Sequence, residues 1–263
     1  MSKVIAITNQ KGGVGKTTTA VNLSAWLAEM GKKTLMVDLD PQGNTTSGLG
    51  CRVGEHNSVY DAMMGRTKFD DCIQKTGVKK LKLAGSDIRL AGSDIRLAGA
   101  EVELVGEEKR EYYLKTVLGP IREDYDFILI DCPPSLSLLT LNAMAAADSV
   151  LIPIQCEYYA LEGVTSLMNT IARVRKTMNP RLEIEGVLLT MLDGRTNLGL
   201  QVVEQVKKHF RKDVFATTIP RNVRLGEAPS HGEPIHMYDP KSTGAQAYQA
   251  LAKEVISRNR RKG

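Results

Sequence analysis

Lys11-Gly12-Gly13-Val14-Gly15-Lys16-Thr17-Thr18 lies just after the apolar run Val4-Ile5-Ala6-Ile7 and opens an amphipathic stretch from Thr18 to Met30. A strand, a glycine-rich turn and a helix in that order form a cradle for phosphate. Glycines let the backbone curl so that successive N–H groups face inward toward phosphate oxygens. The N-terminus of the following helix adds the positive end of its dipole. Lys16 is placed to reach the β- and γ-phosphates, and the Thr17 hydroxyl to ligate Mg²⁺. Gly12, Gly13, Val14, Gly15 and Thr18 supply the rest of the cradle, so the stretch predicts a site for the phosphates of a nucleotide and for Mg²⁺.

Working outward, Thr34-Leu35-Met36-Val37, Phe127-Ile128-Leu129-Ile130, Val150-Leu151-Ile152 and Val187-Leu188-Leu189 are further short apolar runs. Such runs read as strands buried on both faces. Helical patterns lie between them, over Thr18 to Met30, Leu138 to Ala146, Leu161 to Met178 and Leu198 to Phe210, with a last helix over about Ala245 to Arg258. Strands separated by helices imply right-handed crossovers and an α/β fold of mainly parallel, twisted sheet with helices on both faces. No Pro/Gly/Ser-rich linker divides residues 1–263, so a single domain is expected. One local irregularity is a repeat: Ala84 to Leu90 recurs as Ala91 to Leu97 and, degenerately, as Ala98 to Leu104. Three short units are too few for a solenoid, and the 84–104 segment reads as a tandem duplication lengthening a surface helix or loop.

Composition narrows the class. Apolar residues make up 42% and charged residues 25% of the chain, ordinary for a folded soluble domain. No run approaches the roughly 18 apolar residues that span a bilayer, and Met1-Ser2-Lys3 leads straight into the first strand without a signal-peptide pattern. Cys51, Cys72, Cys132 and Cys156 are far apart and lack CxxC spacing, which points to a reducing, cytoplasmic setting rather than a zinc or redox motif. The net charge of +5 is unevenly placed. Residues 186–263 hold 13 Lys and Arg against seven acids, whereas residues 1–185 hold 22 against 23. A basic excess in the C-terminal third suggests contact with a polyanion there.

Two more segments belong with the phosphate loop. Asp38-Leu39-Asp40-Pro41-Gln42-Gly43-Asn44 ends the second strand, and its two carboxylates at i and i+2 point off the carboxyl edge of the sheet. Beside a Mg²⁺–phosphate centre, one can position an attacking water and the other can hold the metal's water shell. Phe127-Ile128-Leu129-Ile130-Asp131-Cys132-Pro133-Pro134 places an acid at a strand end, with Asp131 set to touch Mg²⁺ through water and the prolines stopping the strand.

The loop departs from the usual phosphate-loop spacing: Gln10 stands where a glycine is normal, and Lys11 is an additional lysine beside two glycines. This KGGxGKT form resembles the deviant Walker A branch of the P-loop NTPases, which includes ParA/Soj, MinD and the nitrogenase iron protein. The resemblance implies that Lys11 crosses a dimer interface to the partner's nucleotide, with Gly12 kept small so that two subunits can sandwich two ATP molecules. It assigns the hydrolytic role to Asp40, leaving Asp38 to support magnesium or the loop. It also makes Thr217 to Ser230 an adenine-contacting loop after a short strand, with Pro220 against the base and Asn222 reading its polar edge.

Within that family, Asn9 to Gly13, Val37 to Asn44, Pro153 to Gly163, Leu189 to Asp193, Arg195 to Gly199 and Ile219 to Ser230 resemble the ParA/Soj partitioning branch. The resemblance implies an ATP-dependent homodimer that binds double-stranded DNA without sequence preference, through Arg195 and Arg224, and is released when a ParB-type centromere-binding partner stimulates ATP hydrolysis. A nucleoid-associated location follows. Lys207, Lys208, Arg211 and the Arg258–Lys262 tail are candidates to assist on DNA. No segment before Val4 is long enough for the operator-reading helix-turn-helix of long ParA forms. The rival is a MinD-like membrane-cycling ATPase, sharing every catalytic residue, but Ser257-Arg-Asn-Arg-Arg-Lys-Gly263 holds nothing large and apolar to insert in a membrane. A metabolic P-loop enzyme is the third reading; it requires a small-molecule pocket that no motif supplies.

Overall fold

A computed structural model describes residues 2–86, 108–157 and 162–260. Each of the five apolar runs is a strand: β1 (Lys3–Ile7), β2 (Thr34–Asp38), and, after two strands the runs did not announce, β3 (Ile73–Lys75) and β4 (Leu81–Ala84), come β5 (Phe127–Asp131), β6 (Ser149–Gln155) and β7 (Glu183–Leu192). β8 (Val214–Pro220) completes the sheet. The stretch Thr217–Pro220, expected in a loop, therefore belongs to this last strand. The strands lie side by side in the order β3-β4-β2-β5-β1-β6-β7-β8, all parallel except β3, which runs antiparallel to β4.

Among the described residues the α-helices are α1 (Lys16–Glu29), α2 (Asn44–Gly48), α3 (Val59–Met63), α4 (Tyr113–Leu118), α5 (Leu138–Ala146), α6 (Glu162–Thr177), α7 (Asn197–Phe210), α8 (Arg224–Glu227), α9 (Ile235–Tyr238) and α10 (Thr243–Arg260). Successive strand residues face opposite sides of the sheet, and both sides are covered. Val4, Ala6, Leu35, Val37, Ile128, Ile130, Val150 and Ile152 pack with apolar residues of α4, α5, α6 and α7. Ile5, Ile7, Met36, Leu129, Leu151 and Leu188 pack with α1 and α10. That double coverage is why the runs are continuous rather than alternating. α10 is held by more than apolar contact: the Arg258 guanidinium lies 4.2 Å over the Phe215 ring and donates to the carbonyls of Val214 and Glu185. Arg258, a candidate DNA contact from the sequence, is thus spent on packing. Residues 261–263 and the bulk of the repeat, 87–104, lie outside the described residues; Ala84, its first residue, ends β4.

The register that matters for function concerns β5. It sits between β1 and β2, with Ile7 and Asp38 both opposite Asp131. The ends of three strands therefore converge where the glycine loop begins.

Candidate nucleotide site

The loop after β1 is shaped by Gly13 and Gly15, whose φ values of +72° and +88° lie in the left-handed region that side-chain-bearing residues avoid. Gly15 is the N-cap of α1, and no side chain caps that helix; its first turn carries no acid either. The helix start thus leaves its amides for an anion. Several side chains hold the loop in place. Val14 is buried, and its carbonyl accepts from the Thr190 hydroxyl at 2.8 Å. Asn9 donates to the Pro153 carbonyl and accepts from the Lys11 N–H. Gln10, the residue replacing the usual glycine, donates to the Ser166 hydroxyl on α6 at 3.1 Å.

Lys16 is only 6% exposed and its ammonium donates to the Lys11 carbonyl at 3.0 Å. Burial lowers its pKa, while the carboxylates of Asp131 and Asp40 act against that shift. Lys11 differs sharply. Its ammonium is directed outward and lies 4.0 Å from Glu157, which also approaches Arg221 at 3.5 Å. Gly12 is the odd glycine of the loop: its φ is not left-handed, and a methyl group added to it would meet nothing within 4 Å. Nothing within the described chain requires glycine there.

The acids form a buried cluster. Asp131 is fully buried; its Oδ2 accepts from the hydroxyls of Thr17 (2.8 Å) and Thr45 (2.7 Å). Its Oδ1 is buried without a hydrogen-bond partner. Burial pushes the Asp131 carboxyl up to about 6, against the pull of the two threonine hydroxyls and Lys16. Asp38 is buried too, and burial together with the Asp131 charge raises its pKa well above the usual carboxylate range. Its oxygens already accept from the Asp40 N–H and from the N–H and hydroxyl of Thr46. Of the two roles open to Asp38 in the sequence, this geometry serves holding the loop. Asp40 lies beyond the strand end and accepts from the Gln42 N–H, turning the chain into α2.

The residues fit a magnesium ion. An unpartnered carboxylate oxygen, a neighbouring hydroxyl and two crowded buried acids are what a hard divalent cation satisfies. Among the described residues no group of three or more His, Cys, Asp or Glu could hold a metal. Beside the loop, Thr17, Thr18 and Asn22 of α1, Asn44 and Ser47 of α2 and Pro229 line an open cleft.

The remaining sequence candidates sit along the far half of the same sheet edge. Leu192 and Pro220, at the ends of β7 and β8, are paired in register. Arg195 follows the first; it is exposed and pairs with Asp193 at 2.8 Å. Arg224 begins α8 and pairs with Glu227 and Asp239. Asn222 is occupied structurally, accepting from the Arg224 N–H and donating to the Thr243 hydroxyl, both at 2.8 Å. Thr45, Thr46, Asn9, Thr190 and Glu157 are site residues the sequence reading missed. Thr45 and Thr46 directly follow the Asp40 segment, and that adjacency was the available signal; the others act across long sequence separations.

Residues 2–184 match the family model described as an AAA domain. The sporulation initiation inhibitor protein Soj of Bacillus subtilis is 58% identical over 98% of this chain and 99% of its own length. The chain belongs to the Soj/ParA family of partitioning ATPases. The chromosome partitioning protein ParA of Caulobacter vibrioides, another member of the Soj/ParA family, is 52% identical over 98% of this chain and 95% of its own. Among solved structures, cobyrinic acid a,c-diamide synthase from Mycobacterium smegmatis with bound ATP analog and magnesium superposes with a TM-score of 0.85 at 36% identity, covering 100% of this chain and 98% of that one. The septum site-determining protein MinD of Pyrococcus horikoshii, complexed with Mg-ADP, superposes at 0.82 with 28% identity, covering 100% and 99%. The P-loop NTPase fold and the Soj/ParA assignment read from the sequence therefore both hold. No helix among the described residues is long and apolar enough to cross a membrane.

Proposed function

We propose that the chain is a nucleotide-timed partitioning switch: ATP and Mg²⁺ join two copies, the dimer binds DNA without sequence preference, and hydrolysis stimulated by a ParB-type partner releases it. The observation that carries this reading is Gly12. An added Cβ there would meet nothing within 4 Å, so the loop leaves room for a second body to approach, next to an outward-facing Lys11. Lys16 and the amides of Gly13 to Thr18 hold the triphosphate, while Thr17 and Asp131 hold the ion. Magnesium, when bound, offsets charge gathering on the terminal phosphates. Lys11 leaves Glu157 for the partner's nucleotide. Asp40, at the open end of the acid cluster, orients the attacking water. Pro220 bounds the base side, with Asn222 shaping the turn beside it. Arg195 and Arg224, set on one edge, meet DNA phosphates, and the protein resides in the cytoplasm on the nucleoid.

Light scattering with saturating Mg-ATP tests the central step. Asp40→Ala is expected to give a stable dimer that stays on DNA, and Gly12→Val a monomer that still binds nucleotide. An Asp40→Ala protein that remains monomeric under these conditions would overturn the reading. Arg195→Ala with Arg224→Ala should weaken ATP-dependent DNA binding by roughly tenfold or more and flatten its salt dependence; unchanged binding places the DNA surface elsewhere.

A further inference from the structure

The loop between β3 and β4 carries a second basic surface, on the opposite edge of the sheet from the nucleotide site. Lys75, Lys79, Lys80 and Lys82, joined by Lys33 at the entry to β2, surround a shallow concavity whose one acid is Asp124. All five lysines are exposed. Among the described residues none of them has a carboxylate within ion-pair distance: Lys80 donates to the Gly31 carbonyl, and Lys82 lies 6.0 Å over the Tyr125 ring. Residues 1–185 hold 22 Lys and Arg against 23 acids with these five lysines included, so this is a local concentration of positive charge in a segment that is otherwise acidic.

The loop is rigidly made. The Thr76 hydroxyl bonds with Leu81 and with the N–H of Val78, the Leu81 N–H returns to the Val78 carbonyl, and Val78 is buried beneath. Lys80 holds a left-handed φ of +67°, a position that glycine or asparagine takes more readily. A lysine on an edge strand guards against edge-to-edge pairing, which accounts for Lys75 on β3. It does not account for Lys82, on the inner neighbour β4, or for Lys79 and Lys33, which lie on no edge strand. Exposed ammonium groups with no carboxylate partner, no guanidinium fork and no deep pocket suit a repeating phosphate backbone read by charge alone.

We propose that this lysine loop contacts the backbone of a second duplex segment, distinct from the one held near Arg195 and Arg224. The register supports separate segments: Leu81 lies opposite Thr34 at the start of β2, whereas the nucleotide site gathers at Asp38 and Asp131 at the other end. The proposal rests on the DNA reading above, and its test separates the two. Beads bearing one duplex are loaded with protein and Mg-ATP, then offered a free fluorescent duplex. Wild type captures the second duplex. Lys75→Gln with Lys79→Gln and Lys82→Gln, sparing Lys80 for its bond to Gly31, still loads on the beads, captures at least roughly fivefold less, and lowers the salt slope of DNA binding by about 2 to 3. An unchanged melting temperature shows that the variant is folded. Undiminished capture and slope overturn the lysine surface while leaving the DNA reading intact; failure of wild type to load at all overturns the DNA reading. Loss of polyglutamate binding with an unchanged DNA slope assigns the surface to acidic protein and overturns the proposal.

Discussion

Three glycines within four residues of the phosphate loop do different work. Gly13 and Gly15 hold left-handed backbone, where a Cβ costs roughly 1 kcal/mol. Gly12 holds neither strain nor a crowded contact. Without nucleotide, Gly13→Ala should therefore lower the Tm by about 2–4 °C, while Gly12→Ala should stay within experimental error, as measured by calorimetry. Equal losses at both would mean that position 12 is constrained inside the chain. At this scale motifs singled out Lys16, Thr17 and Asp131, and the family resemblance singled out Asp40; the structure brings the Thr17 hydroxyl to 2.8 Å from the Asp131 carboxylate. The sequence assigned Thr190 and Asn9, though they lie in stretches that carry the resemblance, no role of their own. Their bonds to Val14 and Pro153 join residues 176 and 144 positions apart, and no local pattern encodes such a pairing.

Elements long enough to show a period were legible, and short ones were not. α5 spans the residues its pattern gave, and α1, α6, α7 and α10 differ only at their ends. β3 and β4 escaped notice because they are three and four residues long and interleave lysine with apolar positions. The four-residue helix α9 is equally invisible in sequence, yet it anchors the chain against α1. Its His236 ring lies 5.2 Å from that of Trp26, tilted by 46°, and neither ring nitrogen has a hydrogen-bond partner. Glu29 lies 3.6 Å away. Burial lowers the His236 pKa below its ordinary value, with Glu29 opposing in part. A histidine depressed in the folded state stabilises above its unfolded pKa of about 6.5 and loses that contribution as the pH falls through the folded value. The Tm should accordingly drop as the pH falls below about 6.5, and His236→Phe should flatten that drop. An identical pH profile for the two proteins would show that the ring is free to protonate.

For the whole molecule, the alternation of strand and helix was enough to give a parallel sheet with both faces covered, but strand order was beyond it. Nothing in the local sequence says that β5 inserts between β1 and β2. Charge was misread at the same scale, because an average over residues 1–185 conceals the lysine loop. The strand order makes its own prediction. A fragment of residues 1–125 contains the entire glycine loop and both Asp38 and Asp40, yet it should show no cooperative melting and no protection by Mg-ATP, in contrast to the full chain. Cooperative, nucleotide-sensitive melting of the fragment would argue against an obligatory role for β5. The same insertion sets a schedule for biosynthesis. At typical elongation speeds roughly 5 to 20 s pass between the emergence of Asp38 and that of Phe127, and throughout that interval the first two strands have an empty lane between them. Nucleotide is therefore no help to the nascent chain during its first half, and begins to act as a folding ligand only after the late strand has filled the gap.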